Sequence, residues 1–317
     1  MSSTKSISMR DSYFKALYPI FLEDNKTMLI SADNGAPYMD PISELPNQFR
    51  NVGIAEQQLV GMACGHAREG RKVWVYAIDA FVTLRCIEFI KLDMCAMNLP
   101  ITAIGVGSGY AYDIMGPTHH GVGIIATMRP WPNLTIWSPS DGAMSSALAQ
   151  ISYENGSPQY IRFDREGLPD LYGNGTDFSD GILVPKKGSN VTIVATGVMV
   201  HQALKIAKEL EKFGMDAEVL DLFRLKPLNE EALLGYVGSS RLVVTLEEDF
   251  LTGGMGSSIA ELFVDNGVET PLLRIGQGQT FVFDLGGREA IWEKYGLDEA
   301  SIVKKILTRA EKIHFFD

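Results

Sequence analysis

KVWVYAI, residues 72–78, is apolar at nearly every position. A strand with one face in water would alternate polar and apolar residues. A continuous run instead predicts a strand covered on both faces, as in a parallel sheet. TMLIS (27–31), ITAIGV (101–106), LTIWS (134–138) and QYIRF (159–163) repeat the pattern, with helical candidates near 10–23, 55–69, 83–97 and 141–153. GLPDLYGNGTDFSDGILVPKKGSN (167–190) then breaks the alternation with glycines, prolines and polar residues and reads as a linker. Strand candidates resume at VTIVATG (191–197), AEVLDL (217–222), RLVVTLEE (241–248) and PLLRIG (271–276), with helices expected near 199–213, 256–265 and 298–312. The fold class is α/β. Two domains are expected, each a mostly parallel sheet covered by helices, over residues 1–170 and 190–317 with a linker at 171–189.

Composition narrows the function. The 317 residues suffice for two ordinary domains, and 46% hydrophobic with 21% charged residues is the balance of a globular protein. A net charge of −11 without a basic block argues against nucleic acid or an anionic membrane as partner. MSSTKSISMRDSYFKALYP at the N-terminus lacks the apolar core of a signal peptide, so a cytoplasmic location is expected. Cys64, Cys86 and Cys95 form no CxxC pair and read as reduced core residues.

Four short stretches could carry chemistry. In NVGIAEQQLVGMACGHA (51–67) one acid, Glu56, stands among apolar neighbours, where an unpaired charge is costly. SADNGAP (31–37) puts Asp33 directly after a strand, and GPTHHGVG (116–123) puts His119 and His120 in a glycine-rich loop. GGMGSS (253–258) opens a helix, and either cradles a phosphate or packs the helix closely on its strand. Loops after parallel strands gather at the carboxyl edge of the sheet, so the first three stretches are expected on one rim. Each also has a plain structural reading: Glu56 as a helix-start acid, Asp33 as a cap, His120 as a solvated loop residue.

The order of NVGIAEQ, AFVTLR, GPTHHGVGIIATMRPWPNLTIWSPSD and, later, VTIVATG, FRLKPLNEEAL, VVTLEED, GGMGSSIAE and EKYGL resembles the transketolase-type enzymes that use thiamine diphosphate. The likeness runs from about Arg10 to residue 310 and matches the short C-terminal subunit of split transketolases. The resemblance implies a pyrimidine-binding domain followed by a transketolase C-terminal domain, and transfer of a two-carbon ketol unit between a ketose and an aldose. It also gives Glu56 a role. The cofactor's C2 proton is removed by its own 4′-amino group, which becomes basic only when the opposite ring nitrogen is protonated. A carboxylic acid bonded to that nitrogen supplies the shift, and an apolar setting suits an acid that must carry a proton.

Further roles follow from the same resemblance. Phe81 falls where an aromatic ring stacks on the aminopyrimidine, and Asp33 lines the cofactor site. His119 faces the substrate and assists proton transfers near its hydroxyl. Arg10 and Arg162 fall at positions that hold a substrate phosphate, a task suited to guanidinium groups. Two departures concern the substrate. Met115 replaces an Asp that contacts a sugar hydroxyl, and Gly107 stands where a phosphate-contacting His is common. A substrate other than the ordinary pentose-phosphate pair is therefore expected, unless a residue of the partner or Asp113 fills the gap.

No GDG motif, which in this superfamily anchors the diphosphate through Mg2+ or Ca2+, occurs in the chain. The resemblance thus implies that the metal is held by a partner, an N-terminal transketolase subunit, in an α2β2 assembly acting on sugars or sugar phosphates. Alternatives are the β subunit of a 2-oxoacid dehydrogenase, a deoxyxylulose-phosphate synthase fragment, and a non-catalytic regulatory paralogue.

Overall fold

The computed structural model describes residues 7–173 and 175–316; residues 1–6, Asn174 and Asp317, which belong to the expected domains and linker, lie outside the described residues. In the first sheet β1 (Thr27–Ser31), β2 (Phe49–Asn51), β3 (Lys72–Ile78), β4 (Ile101–Val106), β5 (Thr135–Trp137) and β6 (Gln159–Phe163) run parallel, in the order β5-β6-β4-β3-β1-β2. The second sheet contains β7 (Ile182–Lys186), β8 (Val191–Ala195), β9 (Ala217–Leu222), β11 (Leu242–Phe250) and β12 (Leu272–Gln277), ordered β12-β11-β8-β9-β7. Between β9 and β11, the short β10 (Arg224–Lys226) crosses back and pairs antiparallel with β5, extending the first sheet. The α/β reading holds. Within the stretch read as a linker, Ile182–Lys186 forms an edge strand antiparallel to β9.

The helices are α1 (Met9–Glu23), α2 (Asp40–Ser43), α3 (Glu56–Arg68), α4 (Asp79–Thr83), α5 (Ile87–Phe89), α6 (Ile124–Met128), α7 (Gly142–Glu154), α8 (Val198–Leu210), α9 (Glu230–Val237), α10 (Met255–Asp265), α11 (Arg288–Tyr295) and α12 (Glu299–Lys312). Their starts follow ordinary capping chemistry: Ser8 accepts from the Asp11 N–H at 3.2 Å, and Asp141 accepts from the Met144 N–H at 2.8 Å. The helix expected over 83–97 is broken into a 3₁₀ turn at Leu84–Cys86, α5 and a π-helical stretch at Ile90–Ala96. Such irregular turns concentrate at functional sites, and this one carries Arg85 in its first turn, directly after the α4 turn that holds Phe81.

Alternation along the strands divides the core. Leu29, Trp74, Tyr76 and Ile104 face α1 and α7 on one side of the first sheet. Met28, Ile30, Val73 and Val75 face α3 on the other, in a cluster that continues through Val194, Leu220, Met255 and Ile259 of the second domain. The two domains therefore share one hydrophobic layer, while α8 and α12 cover the far face of the second sheet. The three cysteines are free and buried, as expected, and burial pushes the Cys64 and Cys86 thiols up to about 12 and Cys95 up to about 11. Among the described residues no helix is long and apolar enough to cross a membrane.

Candidate active site

The chain enters α3 through a turn that one side chain fixes. Asn51 Oδ1, at the end of β2, accepts from the Asp33 N–H at 3.0 Å and the Gly53 N–H at 2.9 Å. The loop after β1 and the approach to Glu56 are thereby tied together. Asp33 itself is exposed at φ 54°, a left-handed conformation that Asp tolerates better than most residues.

Glu56 occupies the first turn of α3 and is 3% exposed. Its burial is matched by a partner that the sequence did not reveal, because Arg85 Nη1 donates to Oε2 at 2.5 Å. Oε1 makes no hydrogen bond among the described residues. The Arg85 guanidinium also lies over the Phe81 ring, 4.3 Å from its centroid. Ile54, Ala55, Gln57, Arg85 and Phe89 line a cavity of about 400 Å³ at Glu56.

Phe81 leads on to the histidine loop. Its ring centroid is 5.1 Å from that of His119, edge to face. His119 Nδ1 lies 2.9 Å from Thr118 Oγ1. Burial and the nearby Arg85 charge lower the His119 pKa. Glu56, Arg85, Phe81 and His119 thus form one contiguous line, and Asp33 joins it through Asn51. His120 points elsewhere. It is buried edge-on against Tyr110, with ring centroids 5.0 Å apart, rather than solvated.

The arginines separate. Arg10 donates to Tyr76 Oη at 3.2 Å and pairs with Asp11 at 3.2 Å, beside the carboxyl end of β3. Arg162 is 4% exposed, within a fully covered strand, with Nη1 3.6 Å from Asp249 and Nη2 donating to the Gly121 carbonyl at 3.2 Å. In place of a solvent-facing phosphate clamp it is an internal cation neutralising second-domain acids. Three residues on, past the strand, Arg165 is exposed and its guanidinium lies 5.2 Å from the centroid of Tyr112. The signal that could have found it was position: a residue beyond a buried strand reaches the rim, whereas one inside it does not.

Tyr112 is the other residue the sequence did not single out. Its ring centroid is 5.9 Å from that of His119, and it covers Gly107 so closely that a Cβ there would lie 2.2 Å from the ring. Gly107 also sits at φ 103°, where side chains are strained. The histidine common at that position therefore has neither backbone nor space, and a tyrosine fills the volume. Burial raises the Tyr112 pKa, while Arg165 and Arg10 oppose that shift. Met115 is 48% exposed in the same loop. Asp113, the candidate within this chain to replace the missing acid, accepts instead from the Arg288 N–H at 2.9 Å.

The loop is anchored from the second domain by LEED, residues 246–249. Glu247 accepts the Met255 and Gly256 N–H groups at 2.6 and 2.8 Å. That carboxylate fills the helix start at GGMGSS, so the packing reading holds there and the phosphate reading does not. Burial, reinforced by Asp249, pushes Glu247 up to about 8. Glu248 accepts from Tyr110 N–H at 2.9 Å, from Trp292 Nε1 at 2.5 Å and from Arg288 Nε at 2.9 Å. Asp249 accepts from the N–H of Gly123 and, at 3.5 Å, of Ile125.

Comparison with known proteins points one way. The family described as "Transketolase, pyrimidine binding domain" matches residues 5–170, and "Transketolase, C-terminal domain" matches residues 181–302. The chain is 31% identical to one of the subunits of an apulose-4-phosphate transketolase of Phocaeicola vulgatus, over 96% of this chain and 98% of that one. It is also 31% identical to the 6-deoxy-6-sulfo-D-fructose transketolase subunit SqwH of a Clostridium species, over 97% and 96% of the two chains. A solved structure described as a split-gene transketolase, inactive beta4 tetramer, superposes with a TM-score of 0.84 at 32% identity, covering 96% of this chain and 98% of that one.

Proposed function

The chain belongs to the transketolase family, carrying its pyrimidine-binding and C-terminal domains, and from that premise we propose that it is the Glu-bearing subunit of a two-chain transketolase. The reaction moves a two-carbon ketol unit from a ketose to an aldose. The contact line from Glu56 through Arg85 and Phe81 to His119 carries this reading, because it sets a carboxylate, an aromatic face and a histidine along one rim.

The residues fit the aminopyrimidine of thiamine diphosphate. A cavity lined by Ile54, Ala55, Phe89 and Arg85, with the buried Glu56 carboxylate beside them, suits a flat heteroaromatic ring and offers a partner to one of its ring nitrogens. When bound, thiamine diphosphate supplies the nucleophilic carbon that carries the two-carbon unit. Glu56 would hold and move a proton at the ring nitrogen through the free Oε1. Phe81 would offer its face to the ring, and Asp33 would line the edge. His119, with its Nδ1 against Thr118, would exchange protons at a substrate hydroxyl. Arg165 and Arg10, both near Tyr112, would bind the anionic end of the sugar, replacing the assignment of Arg162.

A partner subunit would hold the divalent metal and the diphosphate, in an α2β2 assembly working in the cytoplasm. The relatives named as subunits, and a solved relative described as an inactive beta4 tetramer of a split-gene transketolase, support that division of labour. The names of those relatives refer to a branched sugar phosphate and a sulfonated sugar, which accords with the apolar Met115 and with a departure from ordinary pentose phosphates. Co-expression with a chain carrying the GDG motif, followed by ketol transfer assays on a donor and acceptor panel, tests the proposal. Transfer by the pair and none by this chain alone is expected. Full turnover by this chain alone, with cofactor and Mg2+ added, would overturn it.

A further inference from the structure

Lys304, Lys305, Arg309 and Lys312 of α12 line a groove against β12, while Glu299 and Glu311 lie toward Glu209 and Phe213, on a neighbouring face whose edge Lys304 shares. β12 is the edge strand of the second sheet, and its Leu273 and Arg274 form the opposite wall. The groove encloses about 550 Å³ and, among the described residues, is lined by five cations and no carboxylate, on a chain whose net charge is −11.

Ordinary stabilisation accounts for only part of this. Arg309 and Lys312 lie in the last turn, where the helix dipole favours cations. It does not account for Lys304 and Lys305 in mid-helix or Arg274 on the strand. Lys305 and Arg309 are like charges one turn apart, an arrangement that weakens a helix. Lys305 Nζ donates to the Gly296 carbonyl at 2.6 Å, and Arg274 Nη1 to the Leu251 carbonyl at 3.1 Å and Ser257 Oγ at 2.9 Å. Those contacts orient the groups; Asp298 acts on Lys305 from a distance, but neither Lys305 nor Arg274 forms a salt bridge among the described residues. Lys304, Arg309 and Lys312 enter no salt bridge among the described residues, and Arg309 Nε is buried with no hydrogen-bond partner there. A buried N–H without an acceptor is destabilising, and an incoming oxyanion would satisfy it.

We propose that the groove between β12 and α12 is a binding site for a small phosphorylated metabolite, distinct from the rim that holds Glu56. Its volume falls in the range of small-molecule sites, roughly 300–1,000 Å³. A guanidinium flanked by ammonium groups matches the several oxygens of a phosphoryl group. Among the described residues no aromatic side chain lines the groove, so recognition falls on the phosphate rather than on a nucleobase.

Calorimetric titration of the full chain with inorganic tripolyphosphate tests this. One saturable site is expected, weakening as salt is raised. Arg309→Gln should lower affinity roughly tenfold, the loss of one charge-assisted contact. The double variant Lys304→Gln/Lys312→Gln, at exposed positions that cannot compromise the fold, should weaken binding further. Arg165→Gln should bind tripolyphosphate as the parent chain does, which separates this groove from the catalytic rim. Equal affinity in the parent and the double variant, or loss of the binding in Arg165→Gln, would overturn the proposal. So would no binding at millimolar probe, or equal binding of a hexa-aspartate peptide.

Discussion

Glu248 of β11 accepts the main-chain N–H of Tyr110 at 2.9 Å, so the second domain holds the entrance of the loop that carries His119. Its neighbour Asp249 holds the exit, through the N–H groups of Gly123 and Ile125, and also faces the buried Arg162. Asp249→Ala should remove the acceptor of those N–H groups and the one salt-bridge partner of the Arg162 guanidinium among the described residues. Removing one partner of a buried pair costs about 3 kcal/mol or more. Urea unfolding of the chain should show that loss, and Asp249→Asn, which can still accept the N–H groups, should show less. Equal unfolding midpoints for the parent and the Ala variant would mean that Arg162 is satisfied elsewhere.

Other buried acids give stability a pH dependence. Burial pushes Glu247 up to about 8, Asp221 up to about 7 and Asp79 up to about 6. Each binds its proton more tightly folded than unfolded, so its contribution is full below the ordinary carboxylate range and is lost as pH rises through the folded value. His119, His120 and His201 act in the opposite sense, because burial lowers their pKa values and their effect ends near 6.5. Melting temperature should therefore fall as pH is raised from 6.5 to 8. Glu247→Gln, which removes the highest of these titrations, should flatten that fall. A parent melting temperature that is level or rising over this interval would refute the expectation.

Glu56→Gln should leave folding and assembly intact while turnover collapses. Gln retains the shape and can still accept from Arg85, but it has no proton to hold for a ring nitrogen. Losses of acid–base contributions run about 10²- to 10⁴-fold in rate. Exchange of the cofactor C2 proton in the two-chain complex, followed by NMR, isolates that step. Exchange as fast in the variant as in the parent would reduce Glu56 to a helix-start acid paired with Arg85.

The two adjacent histidines should separate cleanly. His119 is half-buried against Phe81 and Tyr112 at the rim, so His119→Ala should lower kcat with little change in melting temperature. His120 is buried on Tyr110, so His120→Ala opens a cavity and should lower the melting temperature while kcat at low temperature is largely kept. Parallel effects of both substitutions on both readouts would show that the loop faces the site in another way.

Much of this architecture was legible, for identifiable reasons. KVWVYAI is a continuous apolar run, and β3 covers those same residues inside the first sheet, between β4 and β1. Ile182–Lys186 was hidden, since ILVPK is short, contains a proline and follows glycine-rich chain; only its distant partner β9 makes it a strand. The site divides in the same way. Glu56, Phe81 and His119 stand out by residue type in their local setting. Arg85 acquires meaning only through a contact with Glu56, 29 residues away in sequence. Arg162 misled because a cation in QYIRF resembles a rim arginine until the strand proves buried on both faces. Tyr112 carries no local sign of covering Gly107.

Substrate choice gives the last test. Met115 stands exposed in the histidine loop where a hydroxyl-contacting Asp is common, and Asp113 is committed to the N-terminus of α11. No carboxylate of this loop is then left to receive that hydroxyl, and a thioether is at best a weak acceptor. A site lacking such a partner discriminates less in favour of the hydroxyl. The assembled enzyme should therefore prefer a deoxy, sulfonated or branched sugar, or a small aldehyde, over xylulose 5-phosphate with ribose 5-phosphate. Met115→Asp should move kcat/KM toward the ordinary pair, by roughly tenfold for one added charge-assisted hydrogen bond. Tyr112→Ala, which empties the volume over Gly107, should broaden acceptance without restoring that preference. Measurement of kcat/KM across the panel decides the matter: a parent enzyme already favouring the pentose-phosphate pair, with Met115→Asp nearly silent, would show that the missing contact comes from the partner chain.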